Sequence, residues 1–98
     1  MAQTFTINKI ELKKLLSSFS ISSKNIDEII AMIDRAYKHI NVIAFAESLQ
    51  RLGLKQEDIT NILRRAGIDD VTISNIFDTI ESERIRGSFG KLVELKVD

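Results

Sequence analysis

The amino-acid sequence predicts an all-α fold, a single-domain bundle of four or five short helices. Apolar residues recur at spacings of three and four in five segments of the chain, which is the spacing of one face of an α-helix. The 98 residues include no proline and only four glycines, so few positions interrupt these segments. Polar capping residues or glycines lie where the spacing breaks, and each marks a predicted helix end.

The first two helices are predicted from capping boxes, in which an N-cap side chain and a glutamate three residues later bind backbone amides. Asn8 and Glu11 open the first helix, which ends near Phe19. Asn25 and Glu28 open the second helix. Its apolar stripe covers about four turns and consists of Ile26, Ile29, Ile30, Ile33, Tyr37 and Ile40.

Two glycines predict the ends of the third and fourth helices. Asn41 caps the third helix, and Gly53 fits the left-handed position that follows a helix end. The fourth helix runs from Gln56 to Ala66, and Gly67 stops it. The inward residues are Val42, Phe45, Leu49 and Leu52 in the third helix and Ile59, Ile62, Leu63 and Ala66 in the fourth.

Residues 70 to 81, DVTISNIFDTIE, have the length of an EF-hand calcium loop and carry acids at its first, ninth and twelfth places. Such a loop also needs acidic or amide ligands at the third and fifth places and glycine at the sixth, where this chain has Thr72, Ser74 and Asn75. The alternative is a fifth helix capped by Thr72 or Asp70. It places four apolar residues on one face, namely Ile73, Ile76, Phe77 and Ile80. The sequence therefore favours the helix and predicts no metal site.

Both ends of the chain alternate apolar and polar residues, as a half-buried strand does. Phe5 and Ile7 alternate with polar neighbours near the start, and Val93, Leu95 and Val97 do so near the end. One interpretation is a two-stranded pairing of the termini, which is only marginally stable without packing beneath it. The other is a C-terminal helix that uses Phe89, Leu92, Val93 and Val97.

Length and composition indicate one intracellular domain. A chain of 98 residues supports one hydrophobic core, and 44% apolar with 29% charged residues is a globular balance. No apolar run approaches the roughly 20 residues that cross a bilayer, and the start of the chain lacks a secretory signal pattern. The absence of cysteine excludes disulfides and thiolate sites. We therefore expect a cytoplasmic protein without cofactors.

The charge pattern argues against a dedicated duplex binder. The 14 Lys and Arg residues balance 14 Asp and Glu residues; residues 1–49 carry 6 cations against 5 anions, and residues 50–98 carry 8 against 9. Proteins that bind duplex DNA mainly through its phosphates need an excess of cations. A small DNA-associated helical protein is therefore an alternative and not the leading interpretation.

No residue pattern is typical of an active site. His39 is the only histidine, and one histidine without cysteine does not build a zinc site. Asp69 and Asp70 are adjacent acids, but they follow the helix-ending Gly67, where aspartates are usually turn and cap residues. The glycines do not cluster into a phosphate-binding loop. The sequence therefore predicts a non-enzymatic protein.

Ten residues are candidates for binding a partner. Some are apolar residues outside the main helical stripes, and exposed apolar clusters usually mark interfaces. Others are cations near and beyond the ends of the fourth and fifth helices, for which the alternative is a solvated surface with local ion pairs. The candidates are Met32, Ile43, Arg64, Arg65, Arg84, Ile85, Arg86, Phe89, Lys91 and Leu92. The sequence thus predicts an accessory subunit that docks on a larger protein, with no membrane and no small-molecule substrate.

One segment resembles a known family. In INVIAFAESLQRLG, followed by QEDI, apolar residues have the spacing of the loop-end isoleucine and exiting helix of calmodulin-like proteins; they are Ile40, Phe45, Leu49 and Leu52, with Gly53 behind them. Residues 26 to 81 therefore resemble an EF-hand pair, although DRAYKH offers no ligand set after Asp34. The resemblance implies a metal-free, light-chain-like clasp that holds a helical target in an apolar groove.

A second similarity concerns size and composition and is not carried by a motif. The chain is small, contains 16 isoleucines and has no cysteine. In these respects it is similar to the small accessory subunits of crenarchaeal B-family DNA polymerases. This similarity implies an archaeal protein of DNA replication that belongs to a DNA polymerase holoenzyme or to another nucleic-acid-processing complex.

Overall fold

The computed structural model describes residues 3–82 and 93–98, which form five helices and a small sheet of three strands. The elements in chain order are β1 (Gln3–Ile7), α1 (Lys9–Ser18), α2 (Ser23–Arg35), β2 (His39–Asn41), α3 (Val42–Arg51), α4 (Gln56–Arg65), α5 (Asp70–Glu81) and β3 (Val93–Val97). The predominance of helix is confirmed. The all-α class is corrected, because a sheet joins the two ends of the described chain.

α1 begins and ends where the sequence predicts. The Asn8 side chain accepts hydrogen bonds from the amides of Ile10 at 2.8 Å and Glu11 at 3.2 Å, so it satisfies two donors that a helix start leaves unpaired. Phe19 is the C-cap. The Glu11 carboxylate lies 3.5 Å from the Arg65 guanidinium of α4 instead of closing the predicted capping box.

α2 begins and ends earlier than predicted. The Ser22 hydroxyl accepts a hydrogen bond from the Asn25 amide at 3.2 Å, so Ser22 and not Asn25 is the N-cap. A start at Ser22 adds a turn of backbone hydrogen bonds to the helix, which a cap at Asn25 would lose. At the other end α2 stops at Arg35, and the predicted stripe residues Tyr37 and Ile40 lie outside the helix.

A left-handed turn replaces the last predicted turn of α2. Tyr37 and Lys38 have φ angles of 56° and 69°, a region that residues other than glycine rarely adopt. The turn leads Ile40 into β2, where it is buried opposite Leu95 of β3, and it leaves Tyr37 88% exposed. The helical spacing of Tyr37 and Ile40 misleads because Ile40 is buried by strand pairing, which local spacing does not reveal.

Gly53 and Gly67 end α3 and α4 as predicted. Their φ angles of 93° and 87° lie in the left-handed region that glycine adopts without strain. The amide of Leu54, just after the first glycine, donates to the carbonyl of Leu49 at 3.2 Å, and the second turn repeats this hydrogen bond. In both turns the residue after the glycine is buried, as in a Schellman motif.

Residues 70–81 form a regular helix, α5. The helical interpretation of this segment is therefore confirmed, and the alternative of a calcium loop is not. The loop would leave the apolar residues of the segment without a core to enter. In α5 they lie on one face, partly buried at Ile80 and buried at Ile73, Ile76 and Phe77. The acids of the segment are therefore helix-end and surface groups.

The N-cap of α5 is Asp69, which corrects the predicted Thr72 or Asp70. Its carboxylate accepts hydrogen bonds from the Thr72 hydroxyl at 2.6 Å and from the Thr72 amide at 3.2 Å. Because both favour the charged form, the Thr72 hydroxyl first and its amide second, they lower the pKa of the Asp69 carboxyl from its ordinary value of 3.8.

We expect this cap to make the protein sensitive to acid. A carboxylate whose pKa is lowered by folding contributes stability above its ordinary pKa, and the contribution is lost as pH falls through the lowered value. Asp69→Asn keeps an acceptor and removes the charge. The difference in free energy of unfolding between the natural chain and this variant should therefore be largest near neutral pH and shrink toward acid. Urea denaturation at a series of pH values measures it.

Thr72→Val supplies a second variant for the same experiment. It removes the hydroxyl that donates to Asp69 and leaves the backbone amide in place. This variant should reduce the pH dependence of the free energy of unfolding without abolishing it. If the free energies of unfolding of the natural chain and of Asp69→Asn differ by the same amount at every pH, the proposed role of the charged cap is contradicted.

The sheet has the strand order β1-β3-β2, so β3 is central. β1 runs parallel to β3, from the pair Gln3 and Val93 to the pair Ile7 and Val97, and β2 runs antiparallel to β3. The predicted pairing of the termini is confirmed, and residues 93–97 form a strand and not a helix. Phe89 and Leu92, which the helical alternative uses, lie outside the described residues. β2 is too short for its sequence to show alternation.

One hydrophobic core joins the helices to the sheet. α3 contacts α4, α5, β2 and β3, which makes it the most central helix of the described chain. The largest side chains that are fully buried are Phe45, Leu12, Leu16, Ile33, Leu49, Ile59, Ile62, Leu63, Ile76, Leu95, Val42 and Val97. Within the described residues, no helix combines the length and the apolar character that crossing a membrane requires.

Candidate functional site

An open groove of about 180 Å³ lies between α2 and α3. Its apolar floor is formed by the buried Ile29 and by Met32 and Leu52, which are partly buried and pack against the core. We call this surface the α2–α3 groove. Its lining consists of Asn25, Glu28, Ile29, Met32, Ser48, Arg51 and Leu52.

Helical spacing brings these residues together. On α2 they follow one another at intervals of three, one and three, and on α3 at intervals of three and one, so each set lies on one face of its helix. Each face is adjacent to the stripe that its helix buries in the core. The groove therefore lies where two apolar stripes reach the surface and give way to polar residues.

Charged groups of opposite sign border the apolar floor. The Arg51 guanidinium donates to the Ser48 hydroxyl at 3.2 Å, and the Ser48 hydroxyl itself donates to the carbonyl of Ala44 at 2.9 Å, so this side of the groove is held in place. On the α2 side, the exposed Glu28 carboxylate has no ion-pair partner within residues 3–82 and 93–98. The groove thus offers an apolar floor between a cation and an anion.

Met32 suits a surface that receives different side chains. Its sulfur lies 3.8 Å from the Ser48 hydroxyl, a weak contact that the side chain loses at little cost when it moves. Methionine is unbranched and flexible, so it adapts to an incoming apolar group. The predicted partner-binding role of Met32 therefore has a physical setting, a groove with room for one large apolar side chain.

Two predicted cations lie elsewhere and already have partners. The Arg64 Nε donates to the Asp70 carboxylate at 2.9 Å, which connects the end of α4 to the start of α5. Arg65 lies 3.5 Å from Glu11 of α1. Both side chains are more than half exposed, so these pairs contribute little to stability. Neither arginine lines the α2–α3 groove.

One predicted binding residue is corrected, and six are outside the described chain. Ile43 is only 4% exposed, because the first turn of α3 packs against the core, so the expectation that it stays on the surface is wrong. The predicted residues that lie outside the described ranges are Arg84, Ile85, Arg86, Phe89, Lys91 and Leu92. For them the docking hypothesis stays a prediction.

Six of the seven groove residues were not among the predicted binding residues, and three of these six supply part of its floor and its two charges. Leu52 follows the helical spacing of α3 and is therefore predicted as core, yet it is only partly buried. Glu28 and Arg51 resemble ordinary surface charges in the sequence. The sequence does contain a signal that could have identified these residues. Each lies next to an apolar stripe residue on one of two successive helices, and such positions mark the border between core and surface.

Other exposed groups do not line the α2–α3 groove. His39 begins β2, and its Nδ1 lies 3.6 Å from the Glu94 carboxylate of β3. The large apolar residues with exposed side chains in the described chain are Ile10, Tyr37 and Val71, which lie at the start of α1, in the turn after α2 and on α5. They are single residues on separate elements and form no shared patch with the groove.

Comparison of the chain with protein-family models, with curated proteins and with solved structures gives no match. The functional interpretation therefore depends on the geometry of the α2–α3 groove and on the residues themselves. Among the described residues, no three His, Asp or Glu side chains come together in a group that could hold a metal ion.

Proposed function

We propose that this chain is a non-enzymatic protein-interaction module, an accessory subunit that docks on a larger protein through the α2–α3 groove. The observation that supports this proposal is the partly exposed apolar floor at Met32 and Leu52, bordered by Glu28 and Arg51. Interfaces commonly combine an apolar centre with a polar rim. An apolar side chain of the partner would enter the groove, and polar groups beside it would pair with the two charges.

We further propose that the partner is a large protein of a nucleic-acid-processing complex, such as a DNA polymerase. The balanced charge of the chain supports contact with protein rather than with phosphates. Arg64 and Arg65 each lie beside a carboxylate, so part of their charge is balanced within the chain. Association with DNA would then be indirect, through the larger partner.

A metal-free clasp for a helical peptide is the second candidate function. The α2–α3 groove lies between two helices that a short strand, β2, connects, and both helices belong to the segment that resembles an EF-hand pair. An amphipathic helix can lay its apolar face into such a groove. Binding would then give a negative heat-capacity change in calorimetry, whereas DNA binding would weaken steeply with salt.

Met32→Glu should weaken docking. A carboxylate placed on the apolar floor loses hydration when an apolar side chain covers it, and we expect affinity to fall by at least about tenfold, which is about 1.4 kcal/mol. The immobilised natural chain is used to recover its partner from a native extract. The affinity of the recovered partner for the natural chain and for the variant is then measured by calorimetry.

Val71→Glu is the matched control. It places the same charge at an apolar residue that is 71% exposed on α5, outside the groove. This control should bind like the natural chain, and both variants should retain the far-UV circular dichroism of a folded protein. If Met32→Glu binds normally while Arg64→Glu does not, docking occurs at the arginines and not at the groove. Turnover of a substrate by the purified chain would contradict the non-enzymatic proposal.

A further inference from the structure

The outer edge of β1 presents unpaired backbone groups. β1 is at one end of the sheet and, within the described chain, pairs with β3 alone. The carbonyl of Ile7 accepts the amide of Asp98 at 3.0 Å, so the backbone groups of Ile7 face β3. Because successive residues of a strand turn their backbone groups to opposite sides, those of Thr4 and Thr6 face outward. Two amides and two carbonyls on this edge are thus unpaired within residues 3–82 and 93–98.

In sequence and register, β1 has none of the charges, prolines or bulges that usually protect an edge strand from pairing. Its sequence, QTFTI, contains no charge and no proline, and its one-to-one register with β3 over five residues leaves no room for a bulge. The side chains of Thr4 and Thr6 are exposed. The opposite edge of the sheet differs, because β2 has only three residues and follows directly after Lys38.

We propose that a second copy of this chain pairs with β1 in antiparallel orientation, which joins two three-stranded sheets into one continuous sheet. The two-fold axis passes between the two Phe5 residues. Thr4 of each copy then faces Thr6 of the other, and these outward residues exchange four backbone hydrogen bonds. The two Phe5 residues meet as a non-hydrogen-bonded pair, with Cα atoms about 4.5 Å apart.

The edge suits a second copy better than an unrelated strand because it is complementary to itself. Self-pairing places threonine opposite threonine and phenylalanine opposite phenylalanine, both favourable cross-strand pairs. Phe5 is partly buried, so the partner ring covers the part that the core leaves open. The formal net charge of the chain is zero, so two copies do not repel each other.

The proposed interface is short, and its area is below that of a typical stable dimer. We therefore expect a weak dimer, with a dissociation constant of about micromolar or higher. The α2–α3 groove lies on two helices outside the sheet, so this dimer is independent of the proposed docking function.

Disulfide crosslinking tests the register. The chain has no cysteine, so single cysteines can be introduced without background. Phe5→Cys should give a covalent dimer under mild oxidation, because the two sulfurs approach each other across the axis. Gln3→Cys is the matched control; in this register the two Gln3 residues lie roughly 14 Å apart along the strands, too far for a disulfide. Non-reducing electrophoresis at several times measures the crosslinking rates.

The Phe5→Cys variant should crosslink at least about tenfold faster than Gln3→Cys and than Val71→Cys, which reports random collisions on an exposed surface of α5. Equal rates at Phe5 and Gln3 would overturn the proposed register. Because Phe5→Cys can weaken the fold, sedimentation velocity provides a second measurement that needs no change in the core.

The natural chain should sediment as a dimer at high concentration and as a monomer at low concentration. The double variant Thr4→Lys and Thr6→Lys should weaken dimerisation at least about tenfold, because paired strands would bring like charges together. The control, Gln56→Lys and Asn61→Lys, adds the same charge to exposed positions of α4 and should dimerise normally. A natural chain that is monomeric at every concentration, or a threonine variant that dimerises normally, would overturn the proposal.

Discussion

Phe45→Ala is expected to lower the free energy of unfolding by about 3 to 5 kcal/mol. Phe45 is fully buried in α3, the helix that contacts α4, α5, β2 and β3. Removing its ring loses apolar burial and leaves a cavity that the surrounding elements fill only in part. Small domains have only about 5 to 15 kcal/mol of stability, so the variant should be close to unfolding. Urea denaturation followed by far-UV circular dichroism measures the loss.

Phe19→Ala is the matched control for this cavity. The same ring is removed, but Phe19 caps α1 at the edge of the core and is only partly buried. Phe19→Ala should therefore lower the free energy of unfolding clearly less than Phe45→Ala does. Equal losses in the two variants would mean that the core is not centred on α3.

Leu95→Asp should prevent cooperative folding at neutral pH. Leu95 is fully buried on the central strand, where it pairs with Phe5 of β1 and Ile40 of β2. A carboxylate there is removed from water without a partner, and we expect a loss of more than about 4 kcal/mol. Loss of dispersion in an amide NMR spectrum and loss of a thermal transition would report it. Acid should restore part of the folding, because the protonated side chain is easier to bury.

Thr6→Asp is the control for Leu95→Asp. It introduces the same carboxylate on the neighbouring strand, at an exposed position whose partner in the register is Lys96. We expect a loss of at most about 1 kcal/mol, clearly smaller than that of Leu95→Asp, because strands favour threonine over aspartate. A Leu95→Asp variant that melts like the natural chain would show that β3 is not required for the fold, and the sheet would have to be abandoned.

The sequence predicted part of the candidate site, and the reason lies in the local nature of its signals. Met32 is found because it falls beside the apolar stripe of α2, and this position depends only on helical spacing. Ile43 is misassigned because its burial depends on what covers the first turn of α3. Glu28 and Arg51 belong to the groove only because α2 and α3 both line it, a relation that neither helix contains alone.

The secondary structure likewise separates into features that depend on local sequence and features that depend on distant segments. The start of α1, the cap of α3 at Asn41 and the glycine turns after α3 and α4 follow the prediction, since each depends on hydrogen bonds between residues no more than five apart. The end of α2 does not follow it. There, Ile40 joins β2 because β3, more than fifty residues later, lies beside it.

The sequence by itself predicted the five helical segments, although not the N-caps of α2 and α5, because amphipathic spacing is a property of short segments. It also indicated that the two ends of the described chain form strands, through their alternation. Only the tertiary structure decided the order β1-β3-β2, the existence of β2 and the α2–α3 groove. These features are contacts between distant segments, and their stability comes from shared burial that no short stretch of sequence encodes.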